Sequence, residues 1–176
     1  MSVDLSDIEA AREVVAGVAK HTPVITSLTL SADIGGTVVL KAENLQRTGS
    51  FKLRGAINKL AALGADAANG VTTGSAGNHA QALAFAAQHV GVPCRIFVPV
   101  GAPITKVQAS RNHGAVVTET GADLKAAVAA AEEHAADTGM AFCSPFDDPA
   151  VVAGQGTLGL ELVDDIDDLS SVIVPL

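Results

Sequence analysis

The chain has no tryptophan and no tyrosine, and its five phenylalanines are its whole aromatic content. A core without large rings must be filled by Ala, Val, Ile and Leu, the mix that suits parallel sheets covered by helices. Hydrophobic residues make up 48% of 176 positions, which is ample for such a core. Cysteine is nearly absent. Cys94 and Cys143 have no C-x-x-C spacing, and each lies in a run that reads as a buried strand, so both are expected to be reduced core residues. His21, His79, His89, His113 and His134 form no H-E-x-x-H pattern and no cluster with cysteine, so no metal site is predicted. Basic residues are outnumbered 19 to 11 by acidic ones, for a net charge of −8. That balance argues against binding nucleic acid or an anionic membrane surface through a basic patch. No apolar run reaches bilayer-spanning length, since 126–131 is closed by Glu132 and Glu133. The first eighteen residues lack a basic segment followed by an apolar one. Instead Ser6 and Glu9 suggest a capping box ahead of an amphipathic helix carrying Ile8, Ala11, Val15 and Val18, and a cytoplasmic protein is expected.

What is present is alternation. Short apolar runs at 38–41, 71–73, 95–98, 116–118 and 141–143 read as strands, and helical spacing fills 51–63, 79–89, 104–112 and 123–137 between them. Gly64, Gly91, Gly114 and Gly139 fall just past the helical stretches, where a left-handed residue ends a helix. Strands that alternate with helices pair in parallel through crossover connections. The reading is an α/β chain with a three-layer unit of about four strands over 49–149, flanked by 1–48 and 150–176.

Two segments carry chemistry. In Thr48-Gly49-Ser50-Phe51-Lys52-Leu53-Arg54-Gly55-Ala56 one lysine stands at the mouth of a helix, with Ser50 as the expected N-cap. The positive end of the helix dipole, the Arg54 guanidinium and burial by Phe51 are all expected to disfavour the ammonium form of Lys52. A neutral lysine can form a Schiff base. The second segment, Thr73-Gly74-Ser75-Ala76-Gly77-Asn78-His79-Ala80-Gln81, runs from a strand through small residues into an alanine-rich helix. Gly74 and Gly77 would let the backbone approach a ligand, and the unpaired amides at the helix start would face a carboxylate or phosphate.

Together with Lys41-Ala42-Glu43-Asn44-Leu45-Gln46 before them, and with Pro145-Phe146-Asp147-Asp148 and Gly154-Gln155-Gly156-Thr157 after them, these segments resemble the fold-type II pyridoxal phosphate enzymes, whose fold is like that of the tryptophan synthase β-subunit. The resemblance is strongest to the threonine ammonia-lyase (threonine dehydratase) and serine dehydratase group, with serine racemase as a relative. It implies that Lys52 holds pyridoxal 5'-phosphate as a Schiff base, that Phe51 and Asn78 also contact the cofactor, with Asn78 bonding its phenolic oxygen, and that Ser75, Ala76, Gly77 and His79 grip the substrate carboxylate. The implied reaction is β-elimination of L-threonine or L-serine to 2-oxobutanoate or pyruvate with ammonia, in a homo-oligomer. It also implies that 1–48 and 150–176 belong to a larger domain and that 172–176 is a strand leading into a glycine-rich phosphate loop, which this sequence lacks. The expectation is therefore an N-terminal fragment with a complete small domain and a truncated large one. Weak imine formation is expected of it rather than turnover.

Two further patterns point elsewhere. Gly154-Gln155-Gly156-Thr157-Leu158-Gly159 matches G-x-G-x-x-G, but 147–153 reads as a loop where a dinucleotide site needs a strand, so packing of a helix on the sheet is the expected use of these glycines. Asp164, Asp165, Asp167 and Asp168 read as a solvated loop after a helix, without the glycine and terminal glutamate of a calcium loop.

Overall fold

The computed structural model describes residues 2–174. Helix α1 (Leu5–Val15) starts from a reciprocal cap between Asp4 and Asp7, not from Ser6 and Glu9. The extended backbone at Asp4 aims its carboxylate at the Asp7 amide, and Ser6 instead donates its hydroxyl to Asp4 at 2.6 Å. Strands β1 (Val24–Thr26) and β2 (Val39–Lys41) form an antiparallel pair joined through α2 (Leu28–Ile34). Helix α2 buries none of its residues, and β1 is too short for a hydrophobic pattern to show in sequence.

Helix α3 (Lys52–Leu63) begins one residue later than expected. Phe51 is its N-cap, with no side-chain bond, and the Ser50 hydroxyl is buried without a partner. Strand β3 (Val71–Gly74), helix α4 (Asn78–Val90), strand β4 (Cys94–Val98), helix α5 (Ile104–Asn112), strand β5 (Val116–Glu119), helix α6 (Leu124–Thr138) and strand β6 (Ala141–Phe142) then follow in strict alternation. Gly91 and Gly139 end α4 and α6 in the left-handed conformation, so these stops were readable for the right reason.

The four strands form one parallel sheet in the order β5-β4-β3-β6. Helices α3, α4 and α5 share the core on one face, around Leu53, Ile57, Leu83, Ile96 and Val107. Helix α6 covers the other face, where Ala127 and Ala131 meet Phe97. The small side chains of α4 make this possible. Ala80, Ala82, Ala84, Ala86 and Ala87 are all buried, so neighbours approach the helix from several sides without leaving voids. The fold is α/β with a parallel sheet. Both cysteines are free and buried, and desolvation pushes each thiol up to about 12.

Helix α7 (Pro149–Asp165) replaces the loop expected at its start. Asp148 caps it, accepting from the Ala150 and Val151 amides, and Pro149 occupies a first-turn position where a missing N–H costs nothing. Its glycines lowered the apparent helical propensity, yet Gly154 and Gly156 are contact points between helices rather than between helix and sheet. A methyl on Gly154 would meet the Arg54 carbonyl and the Gly55 α-carbon of α3, and one on Gly156 would meet Ile8 of α1. Asp164 and Asp165 are likewise not a solvated loop. They close the last turn of α7, where Asp164 pairs with Arg12, and Asp165 pairs with Lys41 and His21. Residues 171–174 form no strand, and Val172, Ile173 and Val174 are exposed. Among the described residues no neighbouring strand supplies their hydrogen bonds, and an extended segment without one is not a sheet element. The rest of that expected strand, Pro175 and Leu176, lies outside the described residues. Among the described residues, no helix is long and apolar enough to cross a membrane.

Candidate active site

In a parallel sheet the connections diverge where the strand order reverses, and the crevice beyond the carboxyl ends of those two strands is where ligands bind. Here the reversal lies between β3 and β6. From β3 the chain moves outward to β4 and β5, then returns through α6 to place β6 on the other side. The residues that leave β3 are Ser75, Ala76 and Gly77, and those that leave β6 are Cys143, Ser144, Pro145 and Phe146.

Lys52 enters this crevice from the first turn of α3. Its Nζ donates to the Pro145 carbonyl at 3.2 Å and stands 5.3 Å from the centre of the Phe51 ring and 5.5 Å from that of Phe146. Burial lowers its pKa below the ordinary lysine value. Arg54 takes no part in that shift. Residues two apart on a helix do not share a face. The Arg54 guanidinium is fully buried on the far side, donating to Glu43 at 2.8 and 3.0 Å and to Glu161 at 2.6 and 3.0 Å. Burial would weaken its charge, but the bonds to Glu43 and Glu161 win and raise its pKa. The expected pairing of Lys52 with a second cation is thus replaced by desolvation between two rings.

The loop after β3 is divided in its uses. Gly74 does not open a path for a ligand, because a side chain there would strike the backbone of α6 at Val128 and Ala127. Gly77 does, since a methyl built on it meets nothing within 4 Å. The Ser75 hydroxyl is buried and accepts from the Gly77 amide at 3.3 Å. Helix α4 has Gly77 as its N-cap and no side chain capping it, which leaves its first amides for a ligand. Asn78 is exposed at the first helical position, with its side-chain oxygen accepting from Lys106 at 2.7 Å.

His79 points inward. Its Nε2 lies 3.2 Å from the Cys143 carbonyl, so that nitrogen carries the proton, and Nδ1 is left buried with no partner. Burial pushes its pKa down to about 4 against the pull of the Cys143 carbonyl, and nearby Lys52 adds to the fall. The imidazole is therefore neutral near pH 7 and bridges α4 to the segment after β6. Sequence reasoning missed Pro145 and Phe146 as the partners of the lysine, and Lys106 as that of Asn78. The quoted Pro-Phe-Asp-Asp segment was a signal for the first two, whereas nothing in the local pattern marks Lys106.

The sequence model of one protein family, described as pyridoxal-phosphate dependent enzyme, matches residues 15–176. The chain belongs to this family. An L-threonine ammonia-lyase of Thermotoga maritima is 45% identical over 175 residues, covering 99% of this chain and 44% of that protein. The structure of maize serine racemase superposes with a TM-score of 0.91 at 32% identity, covering 96% of this chain and 51% of that one. Threonine deaminase isoform 2 of Solanum lycopersicum gives 0.87 at 38% identity, covering 94% and 45%. The fold is that of the fold-type II enzymes. The chain spans about half the length of the curated relatives it matches. The crevice suits the family's cofactor, pyridoxal 5'-phosphate. An amine with lowered pKa offers a nucleophile for an aldehyde, the gap at Gly77 offers room, and the amides of α4 offer bonds to an anion.

Proposed function

We propose that this chain carries the lysine-bearing part of a pyridoxal phosphate-dependent ammonia-lyase that deaminates L-threonine, and also L-serine, to the 2-oxo acid and ammonia. The observation that carries the reading is the Lys52 amine, half-buried between Phe51 and Phe146 at the reversal of the sheet. The names of the relatives, L-threonine ammonia-lyase and L-threonine dehydratase, supply the substrate. In this reading 49–149 is the small domain, and 1–48 and 150–176 belong to a larger one.

The cofactor, when bound, supplies an electron sink for charge that develops at the substrate α-carbon. Everything else is asked of the chain. Lys52 Nζ would hold the cofactor and would also be the base that takes the substrate's α-proton. Its lowered pKa leaves a larger neutral fraction available for that near pH 7. Phe51 and Phe146 flank the amine with their rings. Asn78 would donate to the cofactor's phenolic oxygen. Ser75, Ala76 and Gly77, with the first amides of α4, hold the substrate carboxylate. His79 shares that task by fixing the loop, because a neutral ring bonded to Cys143 cannot act as a cation.

The test is an absorbance titration with pyridoxal phosphate, followed by borohydride reduction and peptide mapping. One label per chain at Lys52, absent in Lys52→Ala, is expected. Label scattered over surface lysines would sink the assignment. Release of 2-oxo acid from L-threonine then checks the reaction. The closeness of the serine racemase fold favours a second reading on the same lysine, and D-serine formed from L-serine would select it.

A further inference from the structure

Lys106 lies in the first turn of α5, outside every motif, and its only side-chain bond among the described residues goes to Asn78. An ammonium has three donors and no acceptor, so what it holds on asparagine must be the carbonyl oxygen. A free carboxamide can present either end, since oxygen and nitrogen are nearly the same shape and differ only in bonding. With Oδ1 occupied at 2.7 Å, the end left to a ligand is the NH2 group. The bond also polarises the amide, which strengthens those N–H groups as donors.

Both ends of the contact stand on packed helices. Helix α5 buries Val107 and Ser110, and α4 is buried along most of its length, so the distance between the two side chains is set by helix packing. The ground beside Asn78 is open, because nothing lies within 4 Å of a methyl built on Gly77.

We infer that Lys106 is a positioning residue for the cofactor site, which fixes Asn78 as a hydrogen-bond donor by holding its carbonyl oxygen. The inference rests on the assignment of Asn78 to an anionic ring oxygen. A carboxamide released from Lys106 could turn its own oxygen toward that anion, and the contact would become repulsive. Lys106 therefore acts on the cofactor only through Asn78. A lysine that instead met the cofactor phosphate or the substrate carboxylate directly would act whether or not Asn78 was there, and that difference can be measured.

The experiment uses the whole 15N-labelled chain. The side-chain NH2 signals of Asn78 are identified by their loss in Asn78→Ala. Lys106→Met keeps the packing of the stem and is expected to move those signals toward the values of free asparagine, whereas Lys106→Arg, which can still donate, retains them. Pyridoxal phosphate is then titrated into four chains: wild type, Lys106→Met, Asn78→Ala and the double variant. Lys106→Met is expected to weaken binding roughly tenfold in the wild-type background, the scale of one hydrogen bond to a charged group, and to change nothing in the Asn78→Ala background. An equal loss in both backgrounds, or Asn78 signals unmoved by Lys106→Met, overturns the inference. Failure to trap the cofactor at Lys52 sinks the proposed function instead, and the amide signals still decide the role of Lys106.

Discussion

Arg54 and Glu161 are joined by two bonds of 2.6 and 3.0 Å across 107 residues of sequence. The same guanidinium holds Glu43, which also accepts from the buried Thr22 hydroxyl at 2.6 Å. Glu161 in turn accepts from Lys41 at 2.7 Å, and although burial would raise its pKa, the bonds from Arg54 and Lys41 bring it below the ordinary value. Arg54→Met leaves Glu43 buried without its cation and Glu161 with Lys41 alone, and is expected to cost about 3–5 kcal/mol. Arg54→Lys recovers little of that, since a point charge cannot serve both carboxylates through a fork. Urea midpoints of the three chains check the order, and a Met variant as stable as wild type would refute it.

The two glycines of the loop after β3 separate stability from binding. Gly74→Ala forces a methyl into the backbone of α6 and is expected to destabilise by about 1–3 kcal/mol. Gly77→Ala meets nothing, and its φ of −124° suits any residue, so its thermal midpoint should stay at the wild-type value while pyridoxal phosphate binding weakens. The pair fails as a prediction if both variants melt alike.

Desolvation of Lys52 sets a pH signature. Because its pKa is lowered, the neutral amine accumulates at a lower pH than for an exposed lysine, and borohydride trapping at Lys52 should rise earlier along a pH series than trapping of a lysine peptide. Superimposed profiles for the chain and the peptide would contradict the burial argument.

His79 links acidity to folding. Its folded value of about 4 lies below the ordinary 6.5, so the unfolded chain takes up the proton first as pH falls. The stability tied to the neutral ring is complete above pH 6.5 and is lost progressively between 6.5 and about 4, a change on the order of 3 kcal/mol. His79→Gln removes this contribution, and its unfolding free energy should be flatter over that interval. Parallel curves for the two chains would count against it.

The sheet was legible because its signals are local. Apolar runs of strand length, alanine-rich helices and the left-handed stops at Gly91 and Gly139 each declare themselves within a few residues. The two segments that carry the family resemblance were legible for the same reason. What escaped was contact between elements. Gly154 and Gly156 fell in a match to a loop motif because sequence does not tell a glycine that turns the chain from one that lets two helices touch. Arg54 was paired with Lys52 by proximity along the chain, whereas the helix turns them to different faces. The bond from Lys106 to Asn78 joins two helices 28 residues apart, and no periodicity encodes it.

The buried Arg54 also imposes an order on assembly. All four strands of the parallel sheet are present once synthesis passes Phe142, but Glu161 is made later, near the end of α7. Until then α3 presents to solvent the face that α7 will cover, with one of the guanidinium's two carboxylates missing. The sheet can close early on contacts of modest sequence separation, while the layer of α1, α3 and α7 waits for a contact spanning more than half the chain. A chain ending before residue 161 would thus hold the sheet's crevice on an unclasped helix.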